Sequence, residues 1–351
     1  MKFDFVIGNP PYQQEQESTN IEGSSKNYAP PVYNLFIDAA KDISDRVELI
    51  HPARFLFNAG STPKAWNSKM LNDKHLKVLE YEPNSDKIFP GLSVPIKGGI
   101  AITYYDNSQN FGAIGAFAQF PEVNTVAQKV SSSEGFSSLV DIIFSRTAYR
   151  LTDSMHQDFP TAIAKLSNGH AYDMSSNIFE RLPEIFHDEL PSNGDEYVKI
   201  LGRYNNQRTY KYIKRKYIND VANLKYYKVL VPQANGNGTF GEAIGGIVIE
   251  EPNVGNTETF ISIGKCSTYD EATAIRKYII TKFARTLLGI LKVTQNGNKP
   301  VWKMIPLQDF TPASDIDWSQ SVANIDKQLY KKYNLSKEEI DFIERNVKEM
   351  E

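Results

Sequence analysis

The stretch Phe3-Asp4-Phe5-Val6-Ile7-Gly8-Asn9-Pro10-Pro11-Tyr12 is the part of the sequence from which the fold can be worked out. Residues 3–7 form a short, largely apolar run, which predicts a buried β-strand. Gly8 ends this run, and the two prolines that follow disfavour continuation as a strand or a helix. The polar tetrad is therefore expected at the carboxyl end of a strand, where open α/β sheets bind their ligands.

The tetrad suits the binding of a planar amine. The side-chain oxygen of Asn9 can accept one N–H, and the carbonyl of Pro10 can accept a second. Pro10 and Pro11 stiffen the backbone, so both acceptors keep a fixed direction. Accepting both hydrogens localises the lone pair of the nitrogen, which prepares it to take a methyl group, and Tyr12 offers a flat ring on which a base can stack. An ordinary proline-rich turn after a strand is the alternative interpretation.

Together with its strand, the tetrad resembles the NPPY motif of the N6-adenine DNA methyltransferases, most of all the methylase and target-recognition part of combined type II restriction–modification enzymes. The resemblance implies catalytic roles for Asn9, Pro10, Pro11 and Tyr12, base flipping, double-stranded DNA as the substrate and S-adenosylmethionine as the cofactor. It extends over nearly the whole chain, through Tyr33-Asn34-Leu35-Phe36, His51-Pro52-Ala53-Arg54-Phe55, Ile96-Lys97-Gly98-Gly99, Val229-Leu230-Val231-Pro232, Thr281-Lys282-Phe283, Thr294-Gln295-Asn296, Pro306-Leu307-Gln308-Asp309-Phe310 and Leu329-Tyr330-Lys331-Lys332-Tyr333.

A second aromatic residue completes the base pocket that the resemblance implies. Phe89 lies in the turn Lys87-Ile88-Phe89-Pro90-Gly91. In related adenine methyltransferases a phenylalanine in a similar turn packs against the flipped adenine opposite the tyrosine. Phe89 is therefore expected to form the second wall of the pocket, and a core phenylalanine at a turn is the alternative.

Length and composition narrow the class of protein. A chain of 351 residues is long enough for about two domains, and its 41% hydrophobic and 23% charged residues are those of a globular protein. The net charge of −3 means that any nucleic-acid surface must be local. The single cysteine, Cys266, excludes an internal disulfide and fits a reducing cytoplasm. We expect no membrane span, no signal peptide and, from the spacing of the histidines, no metal site.

The pattern of elements predicts an α/β fold in two domains. Residues 1–130 alternate as strand, helix, strand, helix, strand, strand, which indicates a partial doubly wound (Rossmann-like) methyltransferase half. Its first helix, residues 32–43, is expected to bury Leu35, Phe36, Ala39 and Ala40, and residues 13–31 before it are expected to form a mobile loop. Residues 131–351 predict a mixed α+β target-recognition domain that ends in helices. One of these helices is expected at residues 268–292, with Thr268 and Glu271 as a capping box. The last helix is expected to begin at Ser336, with Ser336 and Glu339 in the same capping pattern.

The expected cofactor site is incomplete in the sequence. The family that the chain resembles binds S-adenosylmethionine at a glycine-rich turn after its first strand, ahead of the NPPY strand. Only eight residues precede Asn9 here, and the glycines at 241–246 and 253–256 do not follow an apolar strand and open a helix. We therefore expect a second polypeptide, or a missing N-terminal segment, to carry the cofactor motif.

The stretch 203–228 is locally basic, with interleaved tyrosines and one acid, Asp220. Such a stretch is typical of a surface that follows phosphates, although a solvated charged face is the alternative. Six basic residues are predicted to bind DNA: Arg203, Arg208, Lys211, Lys214, Arg215 and Lys216. The stretch also holds Lys225 and Lys228.

Three hypotheses on function follow. The first is a site-specific adenine-N6 DNA methyltransferase portion of a restriction–modification system, in which Asn9 and Pro10 orient the amine. The second is a DNA-binding specificity subunit or an inactive fragment, which the missing cofactor half favours. The third, protein glutamine methylation, uses the same tetrad on an amide but does not account for the long basic and aromatic segment. A glycine-rich cofactor motif in the neighbouring open reading frame distinguishes the first two hypotheses.

Overall fold

The computed structural model of the chain describes residues 3–13, 30–57, 61–91, 96 and 98–351. The chain divides into two compact units, Met1–Pro121 and Glu122–Glu351, called the first and second units below. The predicted mobile loop at residues 13–31 lies almost wholly outside the described residues, as does Lys97.

The first unit contains a four-stranded sheet in the order β1-β2-β4-β3. Its strands and helices are β1 Val6–Gly8, α1 Tyr33–Ile43, β2 Arg46–Pro52, α2 Lys64–Leu71, β3 Leu76–Glu82, α3 Ser85–Ile88 and β4 Ile100–Asp106. β1 and β2 are parallel and are joined through α1, whereas β4 is antiparallel to both β2 and β3. The predicted succession of elements is confirmed. The sheet, however, is mixed, and a doubly wound arrangement stays a prediction.

The prediction of a buried first strand was wrong. Phe3, Phe5 and Ile7 are 52%, 43% and 73% exposed. The physical reason is that β1 is the edge strand: among the described strands it pairs with β2 only, in the register Val6↔Val47 and Gly8↔Leu49. Because side chains alternate along a strand, only Val6 of this run packs against the core.

The buried side of α1 also differs from the prediction. Leu35 and Phe36 are exposed, whereas Tyr33, Asn34, Ile37 and Ala40 are buried. The spacing of the buried set is the helical period, so the second apolar side of this helix is left uncovered by the residues that the structure describes. The edge strand and this helix thus expose apolar side chains together.

The second unit contains two four-stranded sheets, ordered β10-β9-β12-β5 and β11-β7-β8-β6. All described strand pairs in it are antiparallel except β11 with β7. Its strands are β5 Ile143–Phe144, β6 Phe186–His187, β7 Tyr197–Tyr204, β8 Gln207–Lys214, β9 Tyr227–Pro232, β10 Val248–Glu250, β11 Val254–Asn256 and β12 Phe260–Cys266. Its helices are α4 Pro121–Ser131, α5 Asp153–Asp158, α6 Ile178–Arg181, α7 Tyr269–Ile280, α8 Lys282–Leu291, α9 Val322–Lys332 and α10 Lys337–Asn346.

The single helix predicted at residues 268–292 is two helices. Thr281 lies between them with extended backbone (ψ 151°), and its hydroxyl accepts from the amide of Ala284 at the start of α8. The buried carboxylate of Asp326, in α9, accepts from the amides of Lys282 and Phe283 at 3.0 and 2.8 Å. These acceptors satisfy a new helix start, which periodicity alone does not reveal.

The capping predictions had different outcomes. Ser336 and Glu339 form the predicted box at α10, with both reciprocal bonds present. Thr268 accepts from the amide of Glu271 as predicted, but the Glu271 carboxylate accepts from Ser267 instead of the cap residue.

The units divide earlier than the boundary predicted after residue 130. Helix α4 lies in the second unit, where Lys129 of this helix forms an ion pair of 2.7 Å with Glu339. The hydroxyl of Thr125 donates to the same carboxylate at 2.7 Å. α4 is therefore fastened to the C-terminal helix, and the assignment of functions to the two units stays a prediction.

No described helix is both long and apolar enough to cross a membrane. Within the same residues, no group of three or more His, Cys, Asp and Glu side chains is placed to hold a metal ion.

Candidate active site and nucleic-acid surface

The tetrad follows β1 directly, at the carboxyl end of that strand. Asn9 and Pro11 are exposed, and Pro10 and Tyr12 are half-buried. The carbonyl of Tyr12 accepts from the amide of Val32 at 3.2 Å, which fixes the end of the tetrad beside the start of α1. The acceptor side chain of Asn9 is thereby presented to solvent on an anchored backbone.

The tyrosine hydroxyl is buried and keeps its proton. Burial raises the pKa of Tyr12 to about 12, while the nearby Asn9 side chain acts in the opposite direction. The oxygen meets no described partner with hydrogen-bonding geometry. Tyr12 is therefore neutral at physiological pH and presents an aromatic ring instead of a charge.

Tyr12 and Phe89, which the sequence separates widely, lie next to each other. Their ring centroids are 6.4 Å apart with an interplanar angle of 61°. Phe89 follows α3, a short helix that Asn84 caps through the amide of Asp86 at 3.1 Å. Two parallel rings with a base between them need roughly 7 Å, since stacked bases repeat about every 3.4 Å. The centroid spacing of 6.4 Å is thus close to that of a base pocket. Because the two rings are inclined by 61°, one of them must rotate before a base can stack between them.

An aromatic cluster lies beneath the tetrad. The rings of Tyr33 and His51 are stacked, with centroids 5.8 Å apart and an interplanar angle of 4°. The ring of Phe55 packs against both His51 and Trp66, at centroid distances of 5.4 and 5.1 Å. His51 is fully buried at the end of β2, and burial lowers its pKa to about 4. Its Nδ1 donates to the carbonyl of Pro52 at 3.1 Å, so Nε2 is the acceptor for the Thr103 hydroxyl at 2.8 Å. A neutral histidine therefore anchors this end of the sheet.

Sequence reasoning missed Asn34. It is 6% exposed in the first turn of α1, and its Oδ1 has no hydrogen-bond partner among the described residues. The sequence singled out Asn34 only as part of the run Tyr33-Asn34-Leu35-Phe36 in the resemblance, and no role was assigned to it.

The described residues do not form the expected cofactor cradle. β1 runs into the prolines of the tetrad, β2 into the 3₁₀ turn Ala53–Phe57, and β3 into the helix that Asn84 caps. None of these strand ends carries a glycine-rich turn that opens a helix, which is the feature that binds the phosphate or carboxylate end of such nucleotides. The described strand ends of the first unit therefore do not fit the glycine-rich turn that the resemblance implies for S-adenosylmethionine.

The six predicted DNA-binding residues do not form one stripe. β7 and β8 are a hairpin with a two-residue turn, in which Asn205 and Asn206 have positive φ. Arg203 lies directly opposite Arg208, and Lys214 lies on the same face of the hairpin. Lys211 is on the other face, where it is 9% exposed and paired with Asp188. Strand alternation thus divides a stretch that is continuous in sequence.

Acidic residues, two of them from other segments, neutralise part of the basic stretch. Lys214 is paired with Asp195 at 2.6 Å, Arg215 with Asp220 at 2.7 Å and Lys216 with Asp158 at 2.5 Å. The hydrogen bond from Lys214 lowers the pKa of Asp195, so this carboxylate is charged. A cleft of about 470 Å³ has a lining of mixed charge that includes five of these residues, namely Asp195, Lys214, Arg215, Lys216 and Asp220.

Two of the six residues keep no carboxylate partner within the described chain. Arg208 lies over the ring of Phe260 at 5.4 Å, and Arg203 donates to the side chain of Asn206. Both are exposed.

Lys228, at the end of the basic stretch, is fully buried. Its ammonium donates to the carbonyls of Glu251 and Val254, at 3.2 and 2.9 Å, and burial lowers its pKa to about 8. The expectation that it adds to a basic surface was wrong.

Comparison with known proteins shows that the first unit is similar to DNA methylases. Residues 1–89, which run from the edge strand to Phe89, match the family of Eco57I restriction-modification methylases. A protein of Mycoplasma pneumoniae (strain ATCC 29342 / M129), described as an uncharacterized adenine-specific methylase, is 32% identical over 109 residues. That alignment covers 31% of this chain and 24% of the relative, so the chain spans about a quarter of the curated relative it matches.

By these matches, the first unit is similar to adenine-specific methylases, and the similar stretch includes the tetrad at the strand end.

Two solved structures show a weak overall likeness. One is the type IIG restriction endonuclease BpuSI, at 8% identity over 90% of this chain and 49% of that chain. The other is the type IIL restriction-modification enzyme MmeI in complex with DNA, at 10% identity over 98% of this chain and 56% of that chain. Both have a TM-score of 0.32, which does not establish a common fold.

Proposed function

We propose that this chain is the catalytic half and the target-recognition part of an adenine-N6 DNA methyltransferase of a restriction–modification system. The observation that carries the proposal is the tetrad at the end of β1, with Phe89 placed 6.4 Å from Tyr12. The Eco57I family match over the same residues supports it. Double-stranded DNA is the proposed substrate, S-adenosylmethionine the proposed methyl donor, and the cytoplasm the proposed location.

The first unit's part in the reaction is to hold the target base and its amine. Asn9 Oδ1 and the Pro10 carbonyl accept the two amine hydrogens, so the nitrogen lone pair turns away from the ring. Tyr12, whose pKa burial raises to about 12, stacks as a neutral ring on the base, and Phe89 covers the opposite face. Flipping costs a few kcal/mol, which stacking at roughly 1–3 kcal/mol per aromatic offsets.

A second polypeptide or a further segment supplies the cofactor site in this proposal. The edge of β1 is the place where its sheet is expected to join. Parallel sheets are covered on both faces, and here both sides of the edge expose apolar groups, Phe5 and Ile7 on the strand and Phe36 on α1. A parallel strand with flanking helices satisfies the free backbone groups and covers these side chains.

The end of the β7–β8 hairpin is the proposed phosphate-binding surface of the second unit. Arg203 and Arg208 lie side by side there without carboxylate partners in the described chain. Lys214, Arg215 and Lys216 contribute less in this proposal because each already forms an ion pair.

The experiment that tests the function is methyl transfer to DNA by the chain together with the product of the neighbouring open reading frame. Asn9→Ala is expected to lower the transfer rate by about a hundredfold or more with little change in DNA affinity, because the lost acceptor acts mainly in the transition state. Tyr12→Ala is expected to reduce the 2-aminopurine fluorescence rise that reports base flipping. If Asn9→Ala keeps most of the rate, the catalytic assignment is wrong. If no partner supports transfer while DNA binding persists, the chain is a DNA-binding subunit.

A further inference from the structure

Arg54 lies at the same edge of the sheet as the tetrad. β2 is parallel to β1 in the register Gly8↔Leu49, so the residues after each strand emerge side by side. Arg54 belongs to the turn Ala53–Phe57 that follows β2. The chain thus places an arginine next to Asn9-Pro10-Pro11-Tyr12.

The backbone around Arg54 is shaped to receive it. Gly98 has φ +89°, and a Cβ on this glycine would lie 2.7 Å from Cγ of Arg54. The amide of Ala53 donates to the carbonyl of Gly99 at 3.0 Å, and the Tyr81 hydroxyl donates to the carbonyl of Gly98 at 3.3 Å. Gly98 therefore leaves the space that the arginine stem occupies, and two hydrogen bonds fix that arrangement.

The charge of Arg54 is not compensated by the described carboxylates. Its side chain is half-buried, and it forms no ion pair with them. Burial raises the pKa of Tyr33, and the positive charge of Arg54 acts in the opposite direction. A partly desolvated charge without a partner is unfavourable, and an oxyanion ligand offsets that cost with two parallel hydrogen bonds.

We propose that Arg54 binds the backbone phosphate of the flipped nucleotide beside the tetrad. This assignment rests on the function proposed above and deepens it, since it adds a phosphate anchor to the base pocket. Tyr33 links the two parts: its ring stacks on His51 at the end of β2, and the preceding residue, Val32, binds the Tyr12 carbonyl. Base and phosphate of one nucleotide are thus held by neighbouring strand ends.

The test compares two probes on the full chain by NMR titration: adenosine, which lacks a phosphate, and the trinucleotide d(TpApT). We expect the wild type to bind the trinucleotide about tenfold more tightly or better, as one charge-assisted arginine–phosphate contact supplies. Arg54→Gln keeps the stem and is expected to remove this preference without changing adenosine binding. Arg54→Lys restores part of it, since the charge returns without the planar fork.

The controls separate this assignment from the function itself. Tyr12→Ala is expected to weaken both probes by the same factor, because it acts on the base. A trinucleotide preference that is absent from the wild type, or that survives in Arg54→Gln, overturns the phosphate assignment. The assignment is also overturned if Arg54→Gln loses affinity for S-adenosylhomocysteine but not for methylthioadenosine. Only the first of these probes carries a carboxylate, so that result would identify a carboxylate as the ligand of Arg54. The function fails separately, if Asn9→Ala leaves methyl transfer intact.

Discussion

The tetrad of the first unit and the basic stretch of the second unit were both recognised as runs of consecutive residues, and the fold treats them differently. Asn9, Pro10 and Tyr12 stay together because they form one short turn after a strand. Arg203 and Lys211 separate because they lie in a hairpin, where neighbours in sequence point to opposite faces.

Partner residues widen this difference. Tyr12 of the tetrad contacts the ring of Phe89, an arrangement that supports the proposed base pocket. The basic stretch meets Asp158, Asp188 and Asp195, three carboxylates from other segments that subtract from its charge. A motif defined by backbone geometry therefore stays together in the fold more reliably than one defined by local charge.

The core under the tetrad contains the buried histidine His51, and its response to pH is the first test of the comparison. The pKa of His51 is about 4 in the folded protein against 6.5 for the free side chain, because burial disfavours the charged ring. Because the pKa of His51 is depressed in the folded state, its contribution to the free energy of unfolding is fully present above pH 6.5. This contribution is lost as the pH falls towards 4. The loss amounts to up to about 3 kcal/mol.

His51→Gln keeps a hydrogen-bonding side chain but does not titrate, so its unfolding free energy is expected to change less between pH 7 and pH 4.5. Urea unfolding followed by tryptophan fluorescence measures the difference, since Trp66 lies in this cluster. Parallel pH profiles for the two proteins would show that the ring is not held neutral by the fold.

The sequence predicted the succession of elements in the first unit and the place of the tetrad at the end of a strand, because apolar runs, glycine and proline act locally. It did not predict that Ile7 is exposed, since whether an edge is covered depends on other chain. The break at Thr281 was missed for a similar reason: the acceptor Asp326 comes from a different helix. The position of Phe89 was available only through the resemblance to a family.

The second prediction concerns which cations of the hairpin bind DNA. Replacing both Arg203 and Arg208 with alanine is expected to reduce the log–log salt slope of DNA binding by about 1.8, at about 0.9 for each phosphate contact. The matched control replaces Lys214, Arg215 and Lys216, for which three free cations would give up to about 3; we expect a smaller change because all three are paired. Fluorescence anisotropy of a short labelled duplex at several salt concentrations measures both slopes. If the salt slope changes more in the triple variant than in the double variant, Lys214, Arg215 and Lys216 belong to the DNA-binding surface, as the sequence predicted.

The smallest expected effect tests whether the carboxylates that pair with the hairpin lysines weaken phosphate binding by the hairpin. Asp195 holds the ammonium of Lys214 at 2.6 Å, on the face that also carries Arg203 and Arg208. Asp195→Asn frees this lysine, so the salt slope is expected to steepen by about 0.9 and binding at low salt to tighten about threefold.

Removing any negative charge favours DNA binding to some degree, and Asp188→Asn controls for this. Asp188 pairs with Lys211, which is 9% exposed on the opposite face and cannot reach a phosphate on the Arg203 side. The control is therefore expected to leave the slope unchanged while it alters the net charge by the same amount. Anisotropy titrations of the two variants under identical conditions decide the matter: equal slopes would show that the ion pair with Asp195 does not limit phosphate binding, and that the hairpin face acts through its overall charge.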